Sequence, residues 1–282
     1  MTVGVVGLGL IGGSLALSLR DRGHTVIGCD KHEEHEREAL ARGLVDEVAG
    51  DGLASLPARC DIVAVAVPVD AAVRVCAQLL DLPGEAAVVE LGSTKAVLAK
   101  ALRGHPQRGR LVLTHPMSGT EFSGPSAAVP ELYAGRICVF CDREDSSPEH
   151  FARVRDCFER LGMRVVEMAS APHDVHVAYV SHISHVSSFA LSLTVLAKER
   201  DERKIFNLAA GGFASTVRLA KSNPDTWAPI LAQNAAPITE VLDEYIGAMQ
   251  SFRAALSAGD RDQLHALITQ ANAIAAVLPP KR

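Results

Sequence analysis

Hydrophobic and polar positions divide the chain into two parts with different periodicities. From Thr2 to about Met168, short apolar runs rich in β-branched residues alternate with amphipathic helical stretches. This alternation is typical of repeated βαβ units around a parallel sheet. The predicted strands cover residues 3–8, 25–29, 62–67, 87–91, 111–114, 137–141 and 164–167. We therefore predict a doubly wound, mainly parallel α/β sheet.

The second part of the chain has only helical periodicity, carried by Leu, Ala and Val. Four or five helices are predicted from its breaks, which fall near Gly211-Gly212, at Asn223-Pro224 and near Gly259. The predicted domains are residues 1–170 and residues 171–282, with 279–282 as a tail. The helix that begins near His173 is apolar on more than one face, which predicts that it is buried, in part against a second subunit.

Composition narrows the function classes. With 282 residues, 48% hydrophobic and 22% charged, the chain suits a soluble enzyme of two domains. A net charge of -5 without clusters of Lys and Arg argues against a nucleic-acid partner. The glycines of the apolar N-terminal run would make a poor membrane helix, so we expect a cytoplasmic protein with no membrane partner. Cys138 and Cys141 lie on one predicted strand and face opposite sides, which favours core cysteines over a metal or redox pair.

A dinucleotide site is predicted at the first strand-to-helix turn. Gly7, Gly9 and Gly12 form a G-x-G-x-x-G pattern there, and Asp30 ends the second strand, where a carboxylate can accept hydrogen bonds from a ribose. Because Asp30 would repel a 2′-phosphate, NAD is favoured over NADP, although Lys31 with His32 could offset that charge. The alternative for Asp30 is a capping residue without a ligand. The predicted cofactor contacts are Gly7, Gly9, Leu10, Ile11, Gly12, Asp30, Val67, Pro68 and Ser93.

Catalytic residues in an open α/β sheet are expected just past the carboxyl ends of strands. Three such ends carry polar or turn-forming sequences: Pro68, Gly92-Ser93-Thr94-Lys95, and the segment from His115 to Glu121. The last belongs to a long stretch rich in Gly, Pro and Ser between Thr114 and Arg136, and long loops of this kind are often functional. Ser93 has an alternative role as the cap of the following helix.

Four motifs together resemble the prephenate/arogenate dehydrogenase family. They are G-S-T-K, T-H-P-M-S-G-T-E, S-H-I-S-H and G-G-F-A-S-T-V-R-L-A-K-S-N-P, in the family's order and approximate spacing. The resemblance implies a Rossmann domain followed by a helical dimerisation domain, hence a homodimer. It also implies nicotinamide-dependent oxidative decarboxylation of a cyclohexadienol in tyrosine biosynthesis.

The resemblance also implies roles for individual residues. His115 would accept the proton of the ring hydroxyl, a task that suits imidazole, and Ser93 would assist at the hydroxyl and nicotinamide. Arg218 would hold a substrate carboxylate, and Glu121 would pair with this arginine when substrate is absent. The remaining implied substrate contacts are Thr120, His185 and Trp227.

The sequence departs from the family at two positions. Ser184 replaces the usual proline in S-H-L-P-H, and Glu90 replaces the usual aspartate before G-S, which affects the placement of Ser93. His182 and His185 share a helix face, but no further ligands are in pattern, so we expect no metal and expect His182 to pack within the protein. We expect neither a chorismate mutase segment before the Rossmann domain nor a regulatory domain after the helices.

Prephenate is the favoured substrate and arogenate the close alternative. The two differ by a keto or amino group on the side chain, and residues 122–126 carry no acid that would favour the ammonium of arogenate. More distant alternatives are a β-hydroxyacid dehydrogenase, a pyrroline carboxylate reductase, and a non-catalytic NAD-binding regulator. The H-P-M-S-G-T-E string suits neither of the two other enzymes.

Overall fold

An eight-stranded sheet runs through the part of the chain that this computed structural model describes, residues 1–202 and 204–278. The predicted tail at 279–282 lies outside the described residues. The strands are Thr2–Val6 (β1), Thr25–Cys29 (β2), Glu47–Val48 (β3), Ile62–Val65 (β4), Ala87–Glu90 (β5), Leu111–Pro116 (β6), Ile137–Cys141 (β7) and Arg164–Met168 (β8). The predicted strands are present, with ends shifted by one or two residues. The two-residue β3 was not predicted, because it is too short to show a period.

The strand order creates the crevice in which a dinucleotide can bind. The sheet runs β3-β2-β1-β4-β5-β6-β7-β8, and the order of connection reverses between β1 and β4. In open α/β sheets, ligands bind at such a reversal, beyond the carboxyl ends of the strands. All neighbours are parallel except β6 and β7, which are antiparallel, so the sheet is mainly parallel, as predicted.

Helices cover both faces of this sheet. They are Leu10–Arg20 (α1), Glu33–Ala41 (α2), Leu56–Arg59 (α3), Val69–Asp81 (α4), Ala96–Leu102 (α5) and Pro148–Arg160 (α6). The strands are continuous apolar runs because both faces are buried, and each face has its own core cluster. Cys138 belongs to one cluster and Cys141 to the other, so the two thiols face opposite sides.

The rest of the described chain is helical. Its elements are Ser170–Val177 (α7), a π-helical turn Ala178–His182, Ile183–Glu202 (α8), Gly211–Thr216 (α9), Pro224–Gln233 (α10), Ala235–Ala258 (α11) and Arg261–Ala271 (α12). Gly211-Gly212 begins a helix instead of ending one. The break at Asn234 was not predicted, although Pro237, in the first turn of α11, is a residue that a new helix tolerates there.

The long helix from α7 through α8 leaves apolar side chains uncovered in the single chain. Val180, Leu193 and Leu196 are 69%, 68% and 52% exposed. The segment Ser170–Arg200 is also long and apolar enough to cross a membrane by length and composition alone. One such helix is weak evidence for a membrane span, because core helices of soluble proteins have the same property.

The chain forms two compact units, Met1–Ala235 and a second that begins at Ala236. The first unit holds the sheet and the helices α1–α10. The second contains α12, whose first turn is capped by Asp260, which accepts a hydrogen bond from Gln263 N at 2.9 Å. The predicted domain boundary at 170/171 stays a prediction.

Candidate active site

The glycine-rich turn after β1 has the geometry of a phosphate cradle. Gly7 has φ +92°, and a Cβ there would lie 2.6 Å from Ala66 O, while a Cβ on Gly12 would lie 1.8 Å from Gly7 O. By contrast, a Cβ on Gly9 would have nothing within 4 Å. Gly9 is also the N-cap of α1 and offers no side chain to its amides. Open space therefore faces a helix N-terminus, which is a favourable place for an anion.

Asp30 joins this turn to the end of β2. Its carboxylate accepts hydrogen bonds from Leu8 N at 2.8 Å and from His32 N at 3.0 Å, and His35 Nδ1 lies 3.3 Å from it. Its backbone N–H donates to Glu36 Oε1 at 2.9 Å. Asp30 therefore has a structural role in the turn, and its carboxylate still has lone pairs for a ribose hydroxyl.

The turn after β5 is built around a buried ion pair. Lys95 Nζ donates to Glu90 Oε2 and to Thr114 O, the latter at 2.7 Å. Glu90 Oε1 accepts from Gly92 N at 2.6 Å. Lys95 and Glu90 are both almost fully buried. Glu90, the departure from the usual aspartate, thus holds the backbone just before Ser93.

Ser93 lies in that turn, two residues before the N-cap of α5. It does not cap α5, because the N-cap position is Lys95. The amides at the start of α5, Lys95 N and Ala96 N, instead donate to the two carboxylate oxygens of Asp174, each at 2.8 Å. The alternative role of Ser93 as a helix cap is thus filled by a residue of α7.

His115 lies at the end of β6 and contacts a second imidazole. Its Nδ1 is 2.9 Å from His173 Nε2, and His173 Nδ1 is 2.8 Å from Asp174 Oδ1. Burial lowers the pKa of His115 well below its usual value, and the nearness of His173, Lys95 and His182 further opposes a positive charge on its ring. An imidazole in this setting is neutral at neutral pH.

The π-helical turn positions two further histidines. His182 is buried, lies 3.0 Å from Asn234 Nδ2 by its Nδ1, and has its pKa lowered to about 4, chiefly by burial. His185 lies 3.1 Å from Ser181 O by its Nδ1 and stacks on Trp227 with ring centroids 3.4 Å apart. Burial lowers the pKa of His185, and the charge of Arg218 contributes to the lowering. Such π-turns often occur at functional sites.

Arg218 and Glu121 form a partly exposed ion pair. Arg218 Nη1 lies 3.4 Å from Glu121 Oε2, and the side chains are 52% and 24% exposed. The turn that carries Arg218 is tied to α8 by Ser188, whose hydroxyl donates to Thr216 O at 3.1 Å and accepts from Ala220 N at 3.0 Å. Arg218 is thus held by its backbone and free to exchange its partner.

Contacts between neighbouring residues connect His115 with the turn that carries Arg218. His115 contacts His173, His173 contacts Asp174, and Asn234 Nδ2 donates to Asp174 O at 2.7 Å and lies 3.0 Å from His182 Nδ1. The rings of His182 and Trp227 are 5.9 Å apart, Trp227 stacks on His185, and the helix of His185 is bonded to the Arg218 turn through Ser188.

The other predicted contact residues lie elsewhere in the first unit. Leu10 and Ile11 begin α1, and Val67 and Pro68 follow β4. Thr120 lies in the exposed loop before Pro125, where its hydroxyl accepts a hydrogen bond from Phe122 N at 3.2 Å.

Sequence reasoning did not assign a role to His173, Asp174, Lys95 or Asn234. The one signal available was the adjacent His173-Asp174 pair in the sequence. No group of three or more His, Cys, Asp and Glu side chains within residues 1–202 and 204–278 is arranged to hold a metal ion.

Comparisons with known proteins identify the family of this chain. Residues 15–167 match the family described as prephenate dehydrogenase, nucleotide-binding domain, and residues 169–270 match its dimerization domain. The cyclohexadienyl dehydrogenase of Zymomonas mobilis is 31% identical over 93% of this chain and 90% of its own length.

Solved structures give the same result. Arogenate dehydrogenase from Synechocystis has a TM-score of 0.77 and 32% identity, over 97% of this chain and 98% of that one. Prephenate dehydrogenase from A. aeolicus, in complex with hydroxyphenyl propionate and NAD⁺, has a TM-score of 0.88 and 26% identity, over 98% of each chain. The chain therefore belongs to the prephenate dehydrogenase family of oxidoreductases.

Proposed function

We propose that this chain catalyses the NAD-dependent oxidative decarboxylation of prephenate to 4-hydroxyphenylpyruvate, a step of tyrosine biosynthesis. The single observation that carries the proposal is the connected set of side chains from His115 to His185, beside the turn that carries Arg218. It combines a neutral imidazole at a strand end, aromatic and imidazole surfaces, and an exchangeable guanidinium. The reaction needs a base for the hydroxyl proton and a cation that binds a substrate carboxylate, and the two lie in one region here.

NAD is the cofactor of this family member. The residues fit it, because Gly9 leaves space for a pyrophosphate at the N-terminus of α1 and Asp30 can accept from ribose hydroxyls. Asp30 and Glu36 together make the ribose end acidic, which disfavours the 2′-phosphate of NADP. When bound, NAD supplies the acceptor for the hydride that leaves the hydroxyl-bearing ring carbon.

His115 is the proposed general base. It accepts the hydroxyl proton as the C–H bond of the same carbon breaks and a ring carbonyl forms. The bond between the ring and its carboxylate then breaks, carbon dioxide leaves, and the electron pair completes the aromatic ring, whose oxygen takes up a proton. Because burial lowers the pKa of His115, its free base is available at neutral pH.

The remaining proposed site residues bind and orient the substrate. Arg218 would exchange Glu121 for a substrate carboxylate, since a planar guanidinium can bind either group. His185, on its Trp227 platform, would contact the substrate side chain, with Thr120 in the adjoining loop and Ser93 beside the nicotinamide. If Glu121→Gln changes neither substrate affinity nor its pH dependence, the proposed exchange at Arg218 is wrong.

Arogenate is the second candidate substrate. The Synechocystis relative at 32% identity is an arogenate dehydrogenase, and the Zymomonas mobilis relative is a cyclohexadienyl dehydrogenase. Prephenate remains favoured because residues 122–126 carry no acid to bind an ammonium group.

One assay tests the proposal. The purified protein is incubated with prephenate or arogenate and NAD or NADP, and the reduced cofactor is followed by absorbance. We expect the fastest turnover with prephenate and NAD, and a kcat lower by roughly two to four orders of magnitude for His115→Asn. A protein that binds NAD but oxidises neither substrate would be a non-catalytic regulator.

We further propose a cytoplasmic homodimer with domain limits at 1–170 and 171–282. The dimerization-domain match and the exposed apolar side chains of α8 support the dimer. Light scattering of the purified protein is expected to give twice the 29.9 kDa chain mass.

A further inference from the structure

Three side chains from two elements form a hydrogen-bonded line that ends at His115. Asp174 Oδ1 lies 2.8 Å from His173 Nδ1, and His173 Nε2 lies 2.9 Å from His115 Nδ1. His173 and Asp174 are 1% and 4% exposed, so water cannot easily replace either contact. Distances this short between nitrogen and oxygen, or between two nitrogens, require one hydrogen in each gap.

Asp174 fixes the direction of the first hydrogen bond. Its carboxylate already accepts backbone N–H bonds from Lys95 and Ala96 at the start of α5. A helix N-terminus favours the ionised form of a carboxylate, which can only accept. The hydrogen between Asp174 and His173 must therefore lie on His173 Nδ1.

The second hydrogen bond follows from the first. A neutral His173 with a hydrogen on Nδ1 has a lone pair on Nε2, so His115 Nδ1 must donate to it. A doubly protonated His173 would reverse this bond and leave the hydrogen of a neutral His115 on Nε2. With a neutral His173, His115 Nε2 carries no hydrogen.

We propose that His173 and Asp174 are positioning residues that hold His115 in the tautomer with its hydrogen on Nδ1, so that Nε2 is the atom that accepts the substrate proton. This inference rests on the proposed function for the identity of the proton donor. The tautomer itself follows from contacts within the protein and can be measured without substrate.

Nitrogen NMR of the protein labelled with ¹⁵N-histidine tests the tautomer directly. The His115 signals are assigned by their loss in His115→Asn. We expect a protonated Nδ1 and an unprotonated Nε2 at neutral pH. The opposite pattern, with the hydrogen on Nε2, would overturn the proposal even if the enzyme were fully active.

Kinetics of three variants test whether the tautomer matters. Asp174→Ala removes the acceptor of His173 Nδ1 and leaves the His173 tautomer unfixed, so kcat should fall by about 10² to 10⁴ with little change in KM. His173→Gln places an acceptor near the former Nε2 and should keep more activity than His173→Leu. The matched control is His176→Gln, on the exposed side of the same helix, which should leave kcat unchanged.

The outcomes separate the two proposals. The wild-type protein could be inactive on prephenate and arogenate and still show the expected tautomer. That result would contradict the proposed function and leave the hydrogen-bond assignment intact. An active wild type whose Asp174→Ala and His173→Leu variants are folded and retain full kcat would refute the positioning role. If either variant fails to fold, the nitrogen spectrum of the wild type still decides the tautomer.

Discussion

Replacing Glu90 by glutamine would leave a lysine charge buried without its counter-ion. Lys95 is fully buried, and its ammonium contacts Glu90 and Thr114 O. Glutamine can still accept from Gly92 N through its amide oxygen, so the turn keeps its backbone hydrogen bond. The variant therefore keeps the turn and removes one negative charge together with the acceptor of the Lys95 Nζ hydrogen bond.

The expected cost follows from the burial of the pair. Removing one partner of a buried ion pair costs about 3–5 kcal/mol, because the remaining charge has lost its solvent and its partner. Because Lys95 keeps its bond to Thr114 O, we expect the free energy of unfolding to fall by an amount near the lower end of this range, about 3 kcal/mol. That is more than a hundredfold in the equilibrium constant for unfolding. The exposed i,i+4 pair Arg155–Glu159 is the contrast, since Glu159→Gln should leave the free energy of unfolding nearly unchanged.

Denaturant unfolding followed by Trp227 fluorescence and circular dichroism measures both variants. Trp227 is the only tryptophan, so its emission reports on one place. Coincident transitions by the two probes are needed before a free energy is extracted. If Glu90→Gln is no less stable than Glu159→Gln, the buried pair does not stabilise this turn and the reasoning is wrong.

Three further predictions concern the cofactor turn and the response to pH. Gly12→Ala should prevent stable folding, since its Cβ would overlap Gly7 O, whereas Gly9→Ala should fold normally in a melting assay and raise the KM for NAD. Asp30→Ser should raise the KM for NAD and lower that for NADP, and an unmodified enzyme that prefers NADP would contradict this. Because the pKa of folded His182 is about 4, the unfolded chain binds more protons below pH 6.5. Stability should then fall by roughly 2–3 kcal/mol between pH 6.5 and 4, with a shallower loss in His182→Gln.

The fold could be predicted because its signals are local. Continuous β-branched runs mark strands buried on both faces, and a glycine pattern followed by Asp30 marks the nucleotide turn. The antiparallel pairing of β7 could not be read from local pattern, because a buried strand has the same composition in either direction. The break at Asn234 was hidden for a related reason, since helical periodicity continues across it.

The candidate site was predictable only as far as its motifs extend. His115, Arg218 and Glu121 lie in strings that resemble a family, and the structure places Glu121 against Arg218. His173 and Asp174 carry no pattern of their own. Their contacts depend on how α7 packs against α5 and β6, and this is a tertiary relation that no sequence period encodes.

Lys95 contacts Glu90, Thr114 and Asp174, and these contacts give a reason for the buried ion pair. Its ammonium joins Glu90 at the end of β5 to Thr114 O, the carbonyl just before His115, and its backbone N–H donates to Asp174. A well-packed apolar pair of similar volume is often as stable as a buried ion pair. The double variant Glu90→Gln/Lys95→Met leaves no unpaired buried charge, so it should recover much of the stability lost in Glu90→Gln. It cannot restore the bond to Thr114 O, and a displacement of about 1 Å at a catalytic group can cost roughly 10² in rate. Recovered stability with a kcat still reduced at least about tenfold would show that the pair serves placement of His115, whereas full recovery of both would show that it does not.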